Sequence, residues 1–376
     1  MKRFASALFA LLLSVGAFAQ SAMTEELAAK CAEGALRKYG RYAKEGVERL
    51  SPSQLREIAD NAVLYQNEDG GWPKNIDMMS TAVPADVVAS LPAHRRRSTI
   101  DNNSVYPEIE LLATVYALTG ETKYRDAALR GVEFILATQY PDGGWRGWDA
   151  DAITFNDGVI AGVLHTWLNI IKKKPQFAWV DKELRNRVRA SFDEGIRCVL
   201  ACQYVQNGVK TAWAQQYDHH TLQPVKARAY EFPGIASAES AGVVSLLMRI
   251  SEPAPEIVEA VKCAVAWFER SKICGIRLET VPVPEEEREE PGVKKTRIIV
   301  EDPDARPLWA RYYELETNRP FFSDRRGIVL YDYMEVSQER RGGYGWYGSW
   351  PQGVLDKYPA WLERIGEKPV CGDCCE

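Results

Sequence analysis

The chain lacks a strong excess of either charge: 47 Lys and Arg stand against 52 Asp and Glu, a formal net charge of −5 over 376 residues. Nucleic-acid binding, which draws on a basic field, therefore gains no support. An apolar run from Phe4 to Val15 is too short to span a bilayer. It follows Lys2 and Arg3 and precedes Ala17-Phe18-Ala19, the pattern of a cleaved export signal. Residues 1–19 are thus expected to be removed, leaving residues 20–376 as a single exported domain, periplasmic or extracellular, without membrane attachment. Cys31 lacks the small apolar residues that precede a lipid-modified cysteine. Apolar–polar alternation long enough for a large sheet is missing too, so strands should be short. The C-terminal Cys371-Gly372-Asp373-Cys374-Cys375 resembles half a zinc site with no second half nearby, which favours a disulfide or a loose tail. Export permits disulfides, and Cys263 with Cys274 could close a short loop.

What the chain does have is helical periodicity. Glu108–Leu118, Lys123–Thr138, Asp157–Ile171, Lys182–Cys202, Glu239–Ile250 and Glu256–Lys272 carry apolar residues at steps of three and four, as in Tyr124, Ala128, Val132, Ile135 and Leu136. A weak repeat punctuates these helices. Gln66-Asn67-Glu68-Asp69-Gly70-Gly71-Trp72 recurs as Gln139-Tyr140-Pro141-Asp142-Gly143-Gly144-Trp145 and fades into Gln203-Tyr204-Val205-Gln206-Asn207-Gly208 before Trp213. The separations of 73 and 64 residues each accommodate two helices and their loops. In each copy a helix is expected to end at Gln and turn on Gly, leaving the Trp to plug the next hairpin. The fold class that follows is mainly α: an α/α toroid-like barrel of helical hairpins with long loops and a few short strands.

One long loop gathers the chemistry. Thr211–Pro233 holds Gln215, Gln216, Asp218, His219, His220, Lys226, Arg228, Tyr230 and Glu231, with Pro224 and Pro233 opposing a long helix. Two acidic signatures precede it, Ser98-Thr99-Ile100-Asp101-Asn102-Asn103 and Ile153-Thr154-Phe155-Asn156-Asp157-Gly158. Taken singly each reads equally well as a helix N-cap. Together Asp101, Asn102 and Asp157 offer the hard oxygen ligands that suit calcium. Near the C-terminus arginines alternate with aromatics, in Asp302–Glu314, Pro320–Gly327 and Glu339–Gly348. Bidentate cations beside flat rings suit a polyanionic sugar. Glu285–Arg297, in contrast, reads as a solvated charged insertion.

The ordered motifs Q-x-x-x-G-G-W-P-K, T-I-D-N, Q-Y-x-x-G-G-W, I-T-F-N-D-G, T-A-W-A-Q-Q-Y-D, A-R-x-Y-E, P-L-W-A-R-Y-Y-E and R-R-G-G-Y-x-W-Y-G together resemble the family 10 pectate lyases over about Tyr65 to Pro351. The resemblance implies a toroid-like fold, a polygalacturonate (pectate) substrate and calcium-assisted anti β-elimination, and the enzyme is expected to be a monomer. Carried over by motif, Asp101, Asn102 and Asp157 are similar to the calcium and substrate-carboxylate ligands, Arg228 to the proton-abstracting base, and Arg311 and Arg325 to substrate clamps. Lys226 and Asp218 are further substrate-binding candidates. Departures occur at Tyr217, where the family commonly has His, at Arg146-Gly147-Trp148-Asp149 and at Gly234–Ser237, and these bear on subsite preference.

The chemistry is also arguable from the residues. Removing the proton from carbon 5 of a uronate builds charge on the neighbouring carboxylate, so cations must be aimed there beforehand. A free guanidinium is almost wholly protonated at neutral pH, so an arginine base needs local cations and an alkaline optimum, with Lys226 or Lys210 as fallback. Three other readings are weighed on sequence alone: a glycoside hydrolase using Asp101 and Asp157, a terpene-cyclase-like protein suggested by the Q-x-x-D-G-G-W repeats but opposed by the export signal and the arginine-rich end, and a non-catalytic polyuronate-binding protein.

Overall fold

A computed structural model describes residues 24–42, 47–79 and 92–368. The expected export signal and Cys371, Cys374 and Cys375 lie outside the described residues. The chain divides into two compact units, one from residues 1–138 and 166–190, the other from residues 139–165 and 191–376.

The first unit begins with helix α1 over 24–39, continued by a 3-10 turn at Gly40–Tyr42. Helix α2 (Pro52–Tyr65) opens on a capping box in which Ser51 and Gln54 satisfy each other's backbone N–H groups. Helices α3 (Tyr106–Thr119) and α4 (Thr122–Ala137) form an antiparallel hairpin turning on Gly120, whose φ of 73° is inexpensive only without a Cβ. Ile109, Leu111, Leu112, Ala113, Thr114 and Val115 are buried on successive sides of α3, which makes it the inner helix. On α4 the expected stripe is buried at Tyr124, Ala128, Val132 and Ile135, with Leu136 half-buried.

Helices α5 (Val159–Ile171) and α6 (Lys182–Ala201) contribute residues to both units. The second unit adds α7 (Ser237–Leu247), α8 (Pro255–Arg270) and α9 (Tyr358–Ile365). Most strands are short, as expected. In an antiparallel sheet β11 (Val329–Leu330), β10 (Pro320–Ser323), β9 (Tyr312–Tyr313) and β5 (Ile235–Ala236) lie in that order. Strand β1 (Ile153–Thr154) pairs with β4 (Gln216–Tyr217), and β8 (Trp309–Ala310) with β12 (Tyr347–Gly348). The charged insertion differs from a plain solvated loop: it is the tip of a hairpin of β6 (Ile276–Pro282) and β7 (Lys295–Glu301). Seven paired residues per strand supply the backbone hydrogen bonds that a loop would have left to water. No disulfide joins the described cysteines: Cys263 is buried and Cys274 exposed.

The repeat has a defined geometry. Nε2 of Gln66 donates to the carbonyls of Gly70 and Ala127, both at 2.8 Å, tying its turn to α4. Nε2 of Gln139 donates to Gly143 at 2.8 Å and to Ser191 on α6 at 2.9 Å. Nε2 of Gln203 reaches Thr211 at 3.0 Å and Ala260 on α8 at 2.9 Å. Each turn glycine is left-handed, with φ of 88°, 89° and 86° at Gly70, Gly143 and Gly208. Trp72, Trp145 and Trp213 are fully buried. The indole of Trp72 lies against Gly131 of α4, and that of Trp145 against Gly195 of α6, so closely that a Cβ on either glycine would meet the ring at 2.8 and 3.2 Å.

His165 on α5 lies against Arg249. Burial first, then the charge of Arg249, pushes its pKa from 6.5 down to about 4. The unfolded chain binds a proton in that window that the folded chain excludes, so this contribution is complete above pH 6.5 and is lost as pH falls toward 4. The full shift corresponds to about 3 kcal/mol. Denaturant titrations between these pH values should therefore show a shallower loss of stability for His165→Gln than for the native chain, and equal slopes would contradict the assignment.

Candidate active site

In the first unit, Asp101 is buried and carries an ion pair from Lys74. Helix α3 starts at Tyr106 with Val105 at its cap position and no side-chain cap, so Asp101 is not the N-cap of that helix. The segment leading into it is bent: Asn102 and Asn103 are left-handed, and Val105 has φ 72° and ψ −64°. The N–H of Tyr106 donates to the Ser104 carbonyl at 3.0 Å and closes a γ-turn over Val105. Such a turn on a β-branched residue is strained, and strain of this kind collects at functional sites.

In the second unit, Asp157 is also left-handed, at φ 51°, and its Oδ2 accepts from Asn156 at 3.0 Å. Asn156 Oδ1 accepts in turn from Gln216 at 3.2 Å. The loop 211–233 is free of helix, as its prolines require. Glu231, 2 % exposed, accepts from Arg228 at the backbone N (3.2 Å), at Nε (2.7 Å) and at Nη2. Gln215 and Tyr344 complete its coordination, each at 3.1 Å, and Tyr312 donates to Gln215. Burial pushes the Glu231 carboxyl up, but Arg228 and Gln215 outweigh it and hold it below its ordinary value. Burial likewise opposes charge on Arg228, but the hydrogen bonds and charge of Glu231 dominate and raise its pKa.

Tyr230 sits among three guanidinium groups, those of Arg228, Arg340 and Arg325, at 5.1, 5.2 and 6.0 Å from its ring centre. Arg325 is forked on Glu339 at 3.2 Å for both Nε and Nη2. Arg311 lies 5.0 Å from the ring of Tyr344 and pairs with buried Glu239. Burial drives the Glu239 carboxyl above its ordinary value despite Arg311, with Asp157 and Glu231 adding repulsion. Nε of Arg311 and Oε2 of Glu239 are both buried without a hydrogen-bond partner, an opening for a ligand or a water.

The structure thus brings Arg228, Arg311 and Arg325 together around Tyr230 and Tyr344, whose rings meet edge to face at 5.3 Å. Lys226 is exposed over Phe232 at 4.0 Å, and Lys210 pairs with Glu259 at 3.0 Å. Asp218 closes its own turn, accepting from Thr221 N at 2.7 Å and His220 N at 3.0 Å. His219 stacks on Tyr140 at 4.4 Å. Glu239, Glu339, Arg340 and Lys74 were not singled out as site residues from the sequence. A signal for part of this existed: Trp213-Ala214-Gln215-Gln216-Tyr217 repeats as Trp309-Ala310-Arg311-Tyr312-Tyr313. In both, the last tyrosine's oxygen accepts from the alanine N–H. The residue two after the tryptophan then carries polar function: Gln215, Arg311 and, after Trp72, Lys74.

A family model described as pectic acid lyase matches residues 66–355. The chain belongs to the pectic acid lyase family. As such it is a polysaccharide lyase with the mainly helical toroid-like fold expected from its repeats. Two solved structures of a family 10 polysaccharide lyase from Cellvibrio cellulosa are similar to it at 32 % identity, covering 84 % of this chain and 93 % of theirs, with TM-scores of 0.69 and 0.68. The first of these is a mutant in complex with trigalaturonic acid. No curated protein matches the chain. Membership of a lyase family replaces the hydrolase and non-catalytic readings left open by the sequence. Among the described residues, no helix of the lyase is long and apolar enough to cross a membrane.

Proposed function

We propose that this lyase cleaves polygalacturonate by calcium-assisted anti β-elimination, releasing unsaturated oligogalacturonides. The observation that carries the reading is the grouping of Arg228, Arg311 and Arg325 around two tyrosines that meet edge to face, in a chain whose relative was solved with trigalaturonic acid. Arg311 and Arg325 take substrate carboxylates. Arg228, aimed by Glu231, accepts the proton from carbon 5 in its neutral form; the C–H electron pair becomes the double bond between carbons 4 and 5, the bond from carbon 4 to the bridging oxygen breaks with its pair left on that oxygen, and the oxygen takes a proton from solvent water. Lys226 and Asp218, on the same loop, serve as outer substrate contacts. The proposal includes export of residues 20–376, which act as one catalytic domain and as a monomer.

Calcium fits the donor set of Asp101, Asn102 and Asp157, which is all oxygen. No group of three or more His, Cys, Asp and Glu that could hold a metal occurs among the described residues. When bound, calcium would withdraw charge from the substrate carboxylate and acidify carbon 5. Lys74 holds Asp101 in place beside the strained turn.

Incubation with polygalacturonate should raise ultraviolet absorbance from the unsaturated product, fall to background in excess chelator and return with added calcium. Full turnover in chelator would remove the metal from the mechanism. New reducing ends without absorbance would remove the elimination itself.

A further inference from the structure

Helix α1 and the turn after it lie outside the stretch that the family model matches, which begins at residue 66. They nevertheless meet the T-I-D-N segment inside the first unit. Arg41 Nη2 donates to Asn75 Oδ1 at 2.9 Å, and Asn102 Nδ2 donates to the same oxygen at 3.2 Å. Asn75 is held left-handed, at φ 62°, to make this bridge. Around it lies a cavity of about 540 Å³, lined by Gly34, Arg37 and Arg41 on one side and by Asn102, Asn103 and Glu108 on the other. That volume falls in the range of small-molecule sites, roughly 300–1,000 Å³.

The polar groups of the cavity match one kind of ligand. Lys38 is paired with Glu108, so Arg37 and Arg41 are left to supply positive charge. Arg37 is exposed, and Arg41 has a neutral amide and the ring of Tyr42, 4.7 Å away, as its neighbours. Glu108 is 1 % exposed; its Oε1 accepts from Lys38 and from Tyr39 at 2.7 Å, while Oε2 is buried with no hydrogen-bond partner. A carboxylate oxygen in that state accepts hydroxyl donors, and a guanidinium takes carboxylates. A sugar acid carries both.

We propose that α1 adds a uronate subsite to this lyase, in which Arg37 and Arg41 hold the carboxylate of a sugar unit and Glu108 its hydroxyls, continuous with Asn102. This rests on the reading of Asn102 as one of the calcium and substrate-carboxylate ligands. The subsite lengthens the stretch of polymer that the enzyme grips and is a feature of this chain's own N-terminal segment.

The test compares kcat/KM on polygalacturonate with that on the shortest oligogalacturonide the native enzyme cleaves. In Arg37→Ala/Arg41→Ala the ratio of polymer to oligomer should fall about tenfold, the loss of one charged contact, carried mainly by KM. Gly34→Glu provides a second probe: a Cβ there meets nothing within 4 Å, so the fold tolerates it, while the added negative charge should lower the same ratio. An unchanged ratio in both variants, or an equal fall on polymer and oligomer, would overturn the subsite. If the native enzyme releases no unsaturated product at all, the reading of the whole site fails instead, and the two failures are thereby distinguished.

Discussion

Arg228→Lys is expected to lose turnover almost as completely as Arg228→Ala, by about 10²–10⁴-fold, with little change in substrate affinity. The reasoning starts from geometry. Glu231 fixes Arg228 through the backbone N, Nε and Nη2, so the guanidinium plane has one orientation and its remaining edge faces outward. Lysine keeps the charge but has neither the plane nor the fork to occupy that seat. The electrostatics run against a base in the free protein, because Glu231 raises the pKa of Arg228 above its ordinary value. Below that pKa the deprotonated fraction grows tenfold per pH unit, so the rate should climb through the alkaline range until another group limits it. Steady-state kinetics on the two variants decide the role. Turnover near the native value in Arg228→Lys, with weakened binding alone, would make Arg228 a carboxylate clamp and move the base elsewhere.

Trp72→Ala should cost about 3–5 kcal/mol in chemical denaturation, and Trp145→Ala a similar amount. Each ring is wholly buried, and each rests on a glycine in the second helix of the next hairpin, where an added Cβ would lie 2.8 Å from Trp72 and 3.2 Å from Trp145. Deletion would open a cavity that the packed hairpin could not close by a small shift. For Trp72 there is a second loss, since Nε1 donates to the Ala62 carbonyl at 2.6 Å and that carbonyl would be left buried. Trp72→Phe separates the two: it restores most of the volume and isolates the hydrogen bond, about 1 kcal/mol. Unchanged stability with weaker substrate binding would place these rings in the sugar cleft and not in the scaffold.

Much of the scaffold was legible because its signals are local. The apolar spacing located six helices to within about three residues at their ends, and the glycines of the repeat adopt the left-handed conformation for which they were read. The role of Gln66, Gln139 and Gln203 as ties to the next hairpin was not legible, because each reaches a carbonyl 52 to 61 residues away. Helix α2 was expected only by its end at Gln66; its start was not placed, although Ser51-Pro52-Ser53-Gln54 carries a capping box, a pattern visible in the chain. The hairpin of β6 and β7 escaped because its tip, Glu285–Arg297, is dense in charge and masks the pairing of its flanks. At the candidate site the arginines were read from their aromatic neighbours. Their glutamates were not, since Glu239 lies in the first turn of α7 and could be taken for an ordinary favourable helix-start charge. Asp218, proposed as an outer substrate contact, commits one carboxylate oxygen to its own turn through three donors, which sequence spacing alone does not show.

Every guanidinium of the cluster that was tied to substrate binding or proton transfer already faces a glutamate: Arg228 has Glu231, Arg311 has Glu239, and Arg325 shares Glu339 with Arg340. The pairs make the cluster close to electroneutral before any sugar arrives. Long-range pull on a polyanion is correspondingly modest, since the field of each cation is cancelled within a few ångströms. What remains directional is the set of N–H edges that the glutamates leave uncovered, and these act only at contact. Selection of a uronate over a neutral sugar in such a cluster is therefore made by local fit after encounter, with little contribution from electrostatic steering.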